Sequence, residues 1–162
     1  MFRFSILLCA VFTLFLLPKA NACEFSDVSF SADFVSGSLD SCHLNDSGEY
    51  VLTFLPEDKP INPSPWFYFS VTAKQSQSVA IVLRFDGFSP RYLPKFSRDK
   101  KHWSYLPFDT KGDGMTITLE ATSTPLYIAA QKPILNDDYT SWMEKAAKQF
   151  AIQPVTLGQS IE

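Results

Sequence analysis

Between Phe25 and Ala130 the chain repeats with a period of two residues, the spacing that sends successive side chains to opposite faces of a β-strand. Tyr50, Leu52 and Phe54 alternate with Val51 and Thr53; Val79, Ile81, Leu83 and Phe85 alternate with Ala80, Val82 and Arg84; Met115, Ile117 and Leu119 alternate with Thr116, Thr118 and Glu120. Each run supplies one apolar face. The breaks fall on turn-forming residues: Ser36-Gly37-Ser38, Asn45-Asp46-Ser47-Gly48, Gln75-Ser76-Gln77-Ser78 and Lys111-Gly112-Asp113-Gly114. Short strands at this spacing, with no helical stretch between them, predict a mainly β fold, an antiparallel sandwich. Two proline-rich segments, Pro56 to Pro65 and Pro90 to Pro107, are expected to form ordered loops or edge crossings, because proline cannot donate to a central ladder.

The pattern changes after Pro133. Tyr139, Trp142, Met143, Ala146, Ala147 and Phe150 recur at steps of three and four, which sets them along one side of a helix, with Lys145, Lys148 and Gln149 turned away. Asn136, Asp137 and Asp138 suit the helix start as acceptors for free amides and as partners of the positive dipole end, and Pro154 follows its close. Tyr139, Trp142, Met143 and Phe150 form a face that awaits a partner.

Residues 1 to 22 read as a secretory signal, with Arg3 at the positive end, an apolar stretch from Ile6 to Leu17, and Ala20-Asn21-Ala22 as a small-x-small cleavage site. The apolar run is short against the roughly 20 residues a spanning helix needs. The expected mature chain begins at Cys23 and is periplasmic or secreted, with no membrane attachment unless Cys23 is lipidated. A lipoprotein reading has Ala20 where a bulky aliphatic is usual. Cys9 falls in the signal, leaving Cys23 and Cys42, which in an oxidising compartment are expected to pair as a disulfide. Zinc ligation by Cys23, Cys42 and His43 lacks a fourth ligand nearby.

Taking Arg3 and Lys19 from the 14 basic residues leaves 12 against 17 acidic, a formal charge of minus five. That balance, with only the short Arg98, Lys100, Lys101 cluster interrupted by Asp99, argues against a nucleic-acid partner.

Four stretches, in order, resemble the amino-terminal β-sandwich domain that precedes the catalytic domain in the cytosolic-carboxypeptidase-like branch of the zinc carboxypeptidases. They are Asp33-Phe34-Val35-Ser36-Gly37-Ser38-Leu39; Pro65-Trp66-Phe67-Tyr68-Phe69-Ser70-Val71; Pro90-Arg91-Tyr92-Leu93-Pro94 with His102-Trp103 downstream; and Leu126-Tyr127-Ile128-Ala129-Ala130-Gln131-Lys132-Pro133, leading into the helix and Leu157-Gly158-Gln159-Ser160-Ile161-Glu162. Ser38 stands where the family has Asn, and Ile134 follows Pro133 where it often has Tyr. The resemblance covers about residues 30 to 162, and export departs from a branch named for cytosolic members. With the signal over 1–22, it implies a sandwich domain over 23–133, and over 134–162 a linker, the helix and the first residues of a catalytic domain broken off at Glu162. It implies zinc and a peptide substrate only in the intact protein, whose missing catalytic domain is this chain's partner.

The family's His-x-x-Glu zinc pair has no counterpart. Asp46 follows His43 by three residues and Tyr105 follows His102 by three. No cofactor, catalytic residue or metal ligand is therefore expected within this chain. No Gly-x-Ser-x-Gly elbow occurs, and the carboxylate pairs Glu57-Asp58 and Asp137-Asp138 have plain roles in a loop and at a helix start. Trp66, Tyr68, Tyr92 and Trp103 are candidates for a ligand platform or an interdomain contact. Two functions follow: a non-catalytic leading domain that supports folding of a carboxypeptidase or frames its cleft, or a free-standing periplasmic module that binds glycan or peptide.

Overall fold

The computed structural model describes residues 22–56, 65–86, 91–112, 114–153, 155 and 158. Residues 1–21 of the expected signal, residues 57–64 of the first proline-rich segment, Pro90 of the second with 87–89 before it, Asp113, Pro154 and the final motif apart from Gly158 lie outside these residues. In chain order the elements are β1 (Ala22–Glu24), β2 (Val28–Ser31), β3 (Ser41–Leu44), β4 (Tyr50–Thr53), β5 (Tyr68–Ala73), β6 (Gln77–Arg84), β7 (Lys95–Ser97), β8 (Ser104–Tyr105), β9 (Asp109–Lys111), β10 (Gly114–Ala121), β11 (Leu126–Ala129) and α1 (Asn136–Phe150).

Two sheets form the expected sandwich. One has the order β1-β2-β5-β11-β7-β8 and the other β3-β4-β6-β10-β9. The three alternating runs become β4, β6 and β10, whose apolar faces meet β2, β5 and β11 across the interior. Burial follows the pleat: along β6, Val79, Ile81 and Leu83 are buried while Arg84 is exposed. Phe54 sits at the centre of the aromatic core, with ring centroids 5.6 Å from Phe67, 5.8 Å from Phe69 and 6.0 Å from Phe85. Fully burying each such side chain contributes about 1.5–3 kcal/mol.

One ladder departs from the antiparallel rule. β4 pairs with β6 in parallel, with Tyr50 opposite Ile81 and Thr53 opposite Arg84. The chain leaves β4, crosses to the other sheet as β5, and returns through the short turn after Ala73 as β6. One reversed strand between them makes β4 and β6 run the same way.

Cys23 and Cys42 form the disulfide. It joins β1, the edge of one sheet, to β3, the edge of the other, with Cα atoms 6.2 Å apart. Phe25, Tyr50 and Phe30 pack beside this edge, Phe25 and Tyr50 with ring centroids 4.9 Å apart and Phe30 and Tyr50 5.2 Å apart.

The turn after β2 owes its shape to close approach. A Cβ on Gly37 would lie 2.0 Å from the Ala32 carbonyl oxygen and 2.9 Å from that of Phe34, the latter accepting the Gly37 amide at 2.8 Å. No side chain fits there. Asn45 shapes the β3–β4 hairpin by accepting the Ser47 and Glu49 amides at 3.0 and 2.8 Å, while Gly48 takes φ 77°.

Helix α1 begins after Leu135, so Asn136 lies inside the first turn and does not cap it. Asp138 does the capping: its carboxylate accepts the Leu135 amide at 3.1 Å. The helix closes on Ala151 in a left-handed conformation, φ 51°. None of its residues is buried.

Gly37→Ala is expected to destabilise the domain by at least about 1–3 kcal/mol, the usual cost of overpacking, read as a lowered urea midpoint. Reducing the disulfide, or replacing both cysteines with Ala, is expected to remove about 3 kcal/mol through the chain entropy of the opened loop. An unchanged midpoint in either experiment contradicts these assignments.

Candidate functional site

Strand β5 has two large faces. Phe67, just before it, and Phe69 point into the sandwich, so Tyr68 points to the outer side of the six-stranded sheet. That side is not open. Tyr68 is 2% exposed, because the 33–38 turn folds over it from one direction and the loop after β7 from the other. Phe34 packs edge-on at 4.7 Å, Trp103 lies at 5.8 Å, Trp66 at 6.4 Å and Tyr127 at 6.5 Å, all between ring centroids. Small residues make room: Ser31, Ser70 and Ser97 share one rung with Tyr127 across β2, β5, β11 and β7, and Ser70 and Ser97 are buried.

Hydrogen bonds fix both covers. The Trp66 indole donates to the Ser36 carbonyl at 2.8 Å, and the Trp103 indole donates to the Lys100 carbonyl at 3.0 Å. Asp99 organises the second loop by accepting the Ser97 hydroxyl at 3.0 Å, the Lys101 and His102 amides at 2.8 Å each, and pairing with His102 Nδ1 at 2.6 Å. These bonds, the His102 ring foremost, hold the Asp99 carboxyl well below the usual carboxylate range. Burial pushes the Tyr68 phenol up to about 12, with Tyr127 adding to it.

Of the four aromatic candidates, the structure unites Trp66, Tyr68 and Trp103. Tyr92 packs instead against the sandwich core. Tyr68 is sealed among neighbours, which leaves it no free face for a sugar or peptide. Phe34, Tyr127 and Lys100 complete the cluster; from sequence they stand only within the family-like stretches and the basic cluster, not among the site candidates. Alternation along β11, with Leu126 and Ile128 buried to either side, is the signal that sets Tyr127 on the outer face.

The helix offers a second place. Tyr139, Trp142 and Phe150 are 57%, 61% and 65% exposed, and Met143 is half-buried. After the left-handed Ala151, Ile152 and Val155 join Tyr139, Thr140, Met143, Glu144 and Ala147 around a groove of about 470 Å³. Tyr139 and Trp142 rings touch at 6.0 Å.

Metal ligation finds no basis in the described residues. They contain no group of three His, Cys, Asp or Glu side chains able to hold an ion. Cys23 and Cys42 spend their sulfurs on each other, which removes them as partners for His43. His43 lies exposed on β3, and Asp46 in the turn beyond.

The family model described as the cytosolic carboxypeptidase N-terminal domain matches residues 30–130. The chain belongs to this family. The match takes in every strand from β2 to β11 except part of β2's start, and thus both the core and the outer aromatic cluster of this cytosolic carboxypeptidase N-terminal domain. Solved structures share its fold. A metallo-carboxypeptidase from Burkholderia cenocepacia is 18% identical with a TM-score of 0.60, over 75% of this chain and 33% of that one. A metallo-carboxypeptidase from Pseudomonas aeruginosa, in complex with (2-guanidinoethylmercapto)succinic acid, is 22% identical with a TM-score of 0.59, over 74% of this chain and 33% of that one. The domain thus corresponds to about a third of the length of these proteins. No curated protein matches the chain.

Because the raised pKa of Tyr68 comes from burial of its neutral form, stability from this group is fully present below the ordinary tyrosine value of 10. It is lost as pH rises from 10 through about 12. Ultraviolet titration of tyrosinate is expected to show a component near pH 12 that Tyr68→Phe removes; a profile unchanged by that substitution contradicts the sealed position.

Proposed function

We propose that this domain is the non-catalytic leading part of an exported zinc metallocarboxypeptidase, the enzyme class that hydrolyses carboxy-terminal peptide bonds. On this reading residues 23–133 are the sandwich domain and 134–162 the linker, helix and opening of a catalytic domain. That domain brings the zinc and the peptide site, and no step of the hydrolysis runs through residues of this chain. The leading domain supports folding of the catalytic domain or frames its cleft.

The exposed apolar face of α1 carries the reading. A helix of this length draws most of its stability from packing an apolar face, and Tyr139, Trp142, Met143 and Phe150 are left without cover by the sheets. The solved relatives, each about three times the matched length and each a metallo-carboxypeptidase, support a catalytic domain as that cover. Export is supported by the signal pattern of residues 1–22 and by the Cys23–Cys42 bond, which suits an oxidising compartment. The bond also opposes lipidation, since a thioether and a disulfide need the same Cys23 sulfur.

Supplied with stoichiometric zinc, the purified chain is expected to hydrolyse no carboxy-terminal peptide bond; measurable hydrolysis sinks the proposal. Joined in one polypeptide to a zinc carboxypeptidase catalytic domain from the same cell, it is expected to raise the yield of active enzyme severalfold, and Trp142→Ala and Phe150→Ala to reduce that gain. Equal yield and equal kcat/KM on a peptide substrate with and without the domain refute a folding or framing role.

A further inference from the structure

One surface group of the outer aromatic cluster is placed where neither ion pairing nor burial accounts for it. Lys100 Nζ lies 4.4 Å from the ring centroid of Phe34 and 4.4 Å from that of Tyr127. Those two rings stand 5.6 Å apart at 81°, so the ammonium fills a corner between perpendicular π faces. Both distances fall within the range of a cation–π contact. Among the described residues no carboxylate pairs with Lys100. Its neighbour Asp99 turns its oxygens back to Ser97, Lys101 and His102.

Lys100 has a left-handed backbone, φ 61°, in the loop that Asp99 organises. Its side chain is exposed, and the attraction of the two ring faces for the ammonium is opposed by the entropy of ordering a lysine. The side chain is therefore free to leave the corner without disturbing the loop.

The corner itself does not depend on Lys100. Phe34 is fixed by the turn that Gly37 permits, its amide bonded to the Ala32 carbonyl at 2.9 Å and its carbonyl to the Gly37 amide. Tyr127 is fixed by ladders to β5 on one side and β7 on the other. Tyr68 backs both rings, and Trp103 flanks it.

We propose that Phe34 and Tyr127 form an ammonium-binding corner on this domain, with Lys100 as its tethered and displaceable occupant. The ligand class is a primary or quaternary ammonium group, such as a lysine side chain of a peptide, held by ring faces without a carboxylate. A tethered side chain competes with an outside ammonium for the same corner, so the apparent affinity for the outside group is reduced by the fraction of time that Lys100 fills it. The site is separate from the α1 face and stands or falls independently of the catalytic-domain reading.

The test uses the full chain and Lys100→Gly, a substitution suited to the left-handed backbone. Tetramethylammonium chloride is titrated at constant ionic strength set with sodium chloride, following the methyl proton shift of the probe and the indole N–H resonance of Trp103. A saturable upfield shift at least about twofold tighter in Lys100→Gly than in the native chain, as half-occupancy of the corner by Lys100 requires, and lost in Lys100→Gly with Tyr127→Leu, is the expected result. An N-acetylated lysine peptide amide is expected to compete, and its alanine counterpart to have no effect. An unchanged Trp66 indole resonance verifies that each variant is folded. Equal and non-saturating responses in the native chain and Lys100→Gly, or binding that survives Tyr127→Leu, overturn the proposal.

Discussion

Everything in this domain hangs on the interlocking of aromatic rings between two sheets. Phe54 arrives from one sheet and Phe67 and Phe69 from the other, and Phe85 closes the stack from beyond β6. Non-directional burial alone would tolerate many arrangements of the strands. Rings that meet at fixed angles and distances tolerate few, and so set the separation of the sheets and the register of β5 against β2 and β11. The outer cluster is built on the same strand: because Phe69 must face inward, Tyr68 must face outward, and the chain has folded two loops over it. A second, smaller core thus follows from the first.

Period-two alternation made the faces of β4, β6 and β10 legible residue by residue, and the three-and-four spacing made the helix legible. Strand direction was not legible, since the period is the same whichever way a strand runs, and β4 beside β6 shows it. The fate of Tyr68 was also hidden. Its outward side could be read from Phe67 and Phe69, but the cover comes from Phe34 and Trp103, which lie 34 residues before and 35 after it. Nothing local announces that two distant loops will close over one ring. The helix start shows a finer version of the same limit: three polar residues in a row marked the terminus, and only geometry distinguishes Asp138, which caps, from Asn136, which does not.

The chain belongs to a carboxypeptidase-associated domain family, and its described residues gather no group of three metal-ligating side chains. Its polar hydrogen bonds tie the surface together. Asp99, Asn45 and the indoles of Trp66 and Trp103 all bond within their own loops or across to a neighbouring turn, tying surface segments down. An apolar face stays exposed on α1, and the Lys100 ammonium rests on two rings of the outer cluster.

The position of the disulfide has a further consequence for how copies of this chain can meet. An amino-terminal strand at the rim of a sheet is the element most easily exchanged between two molecules, since leaving requires only one ladder to break. Here that strand, β1, is covalently fastened to β3 of the opposite sheet. While the bond is intact β1 cannot be lent to another molecule, and the swapped dimer that an unfastened rim strand would invite is closed to this fold.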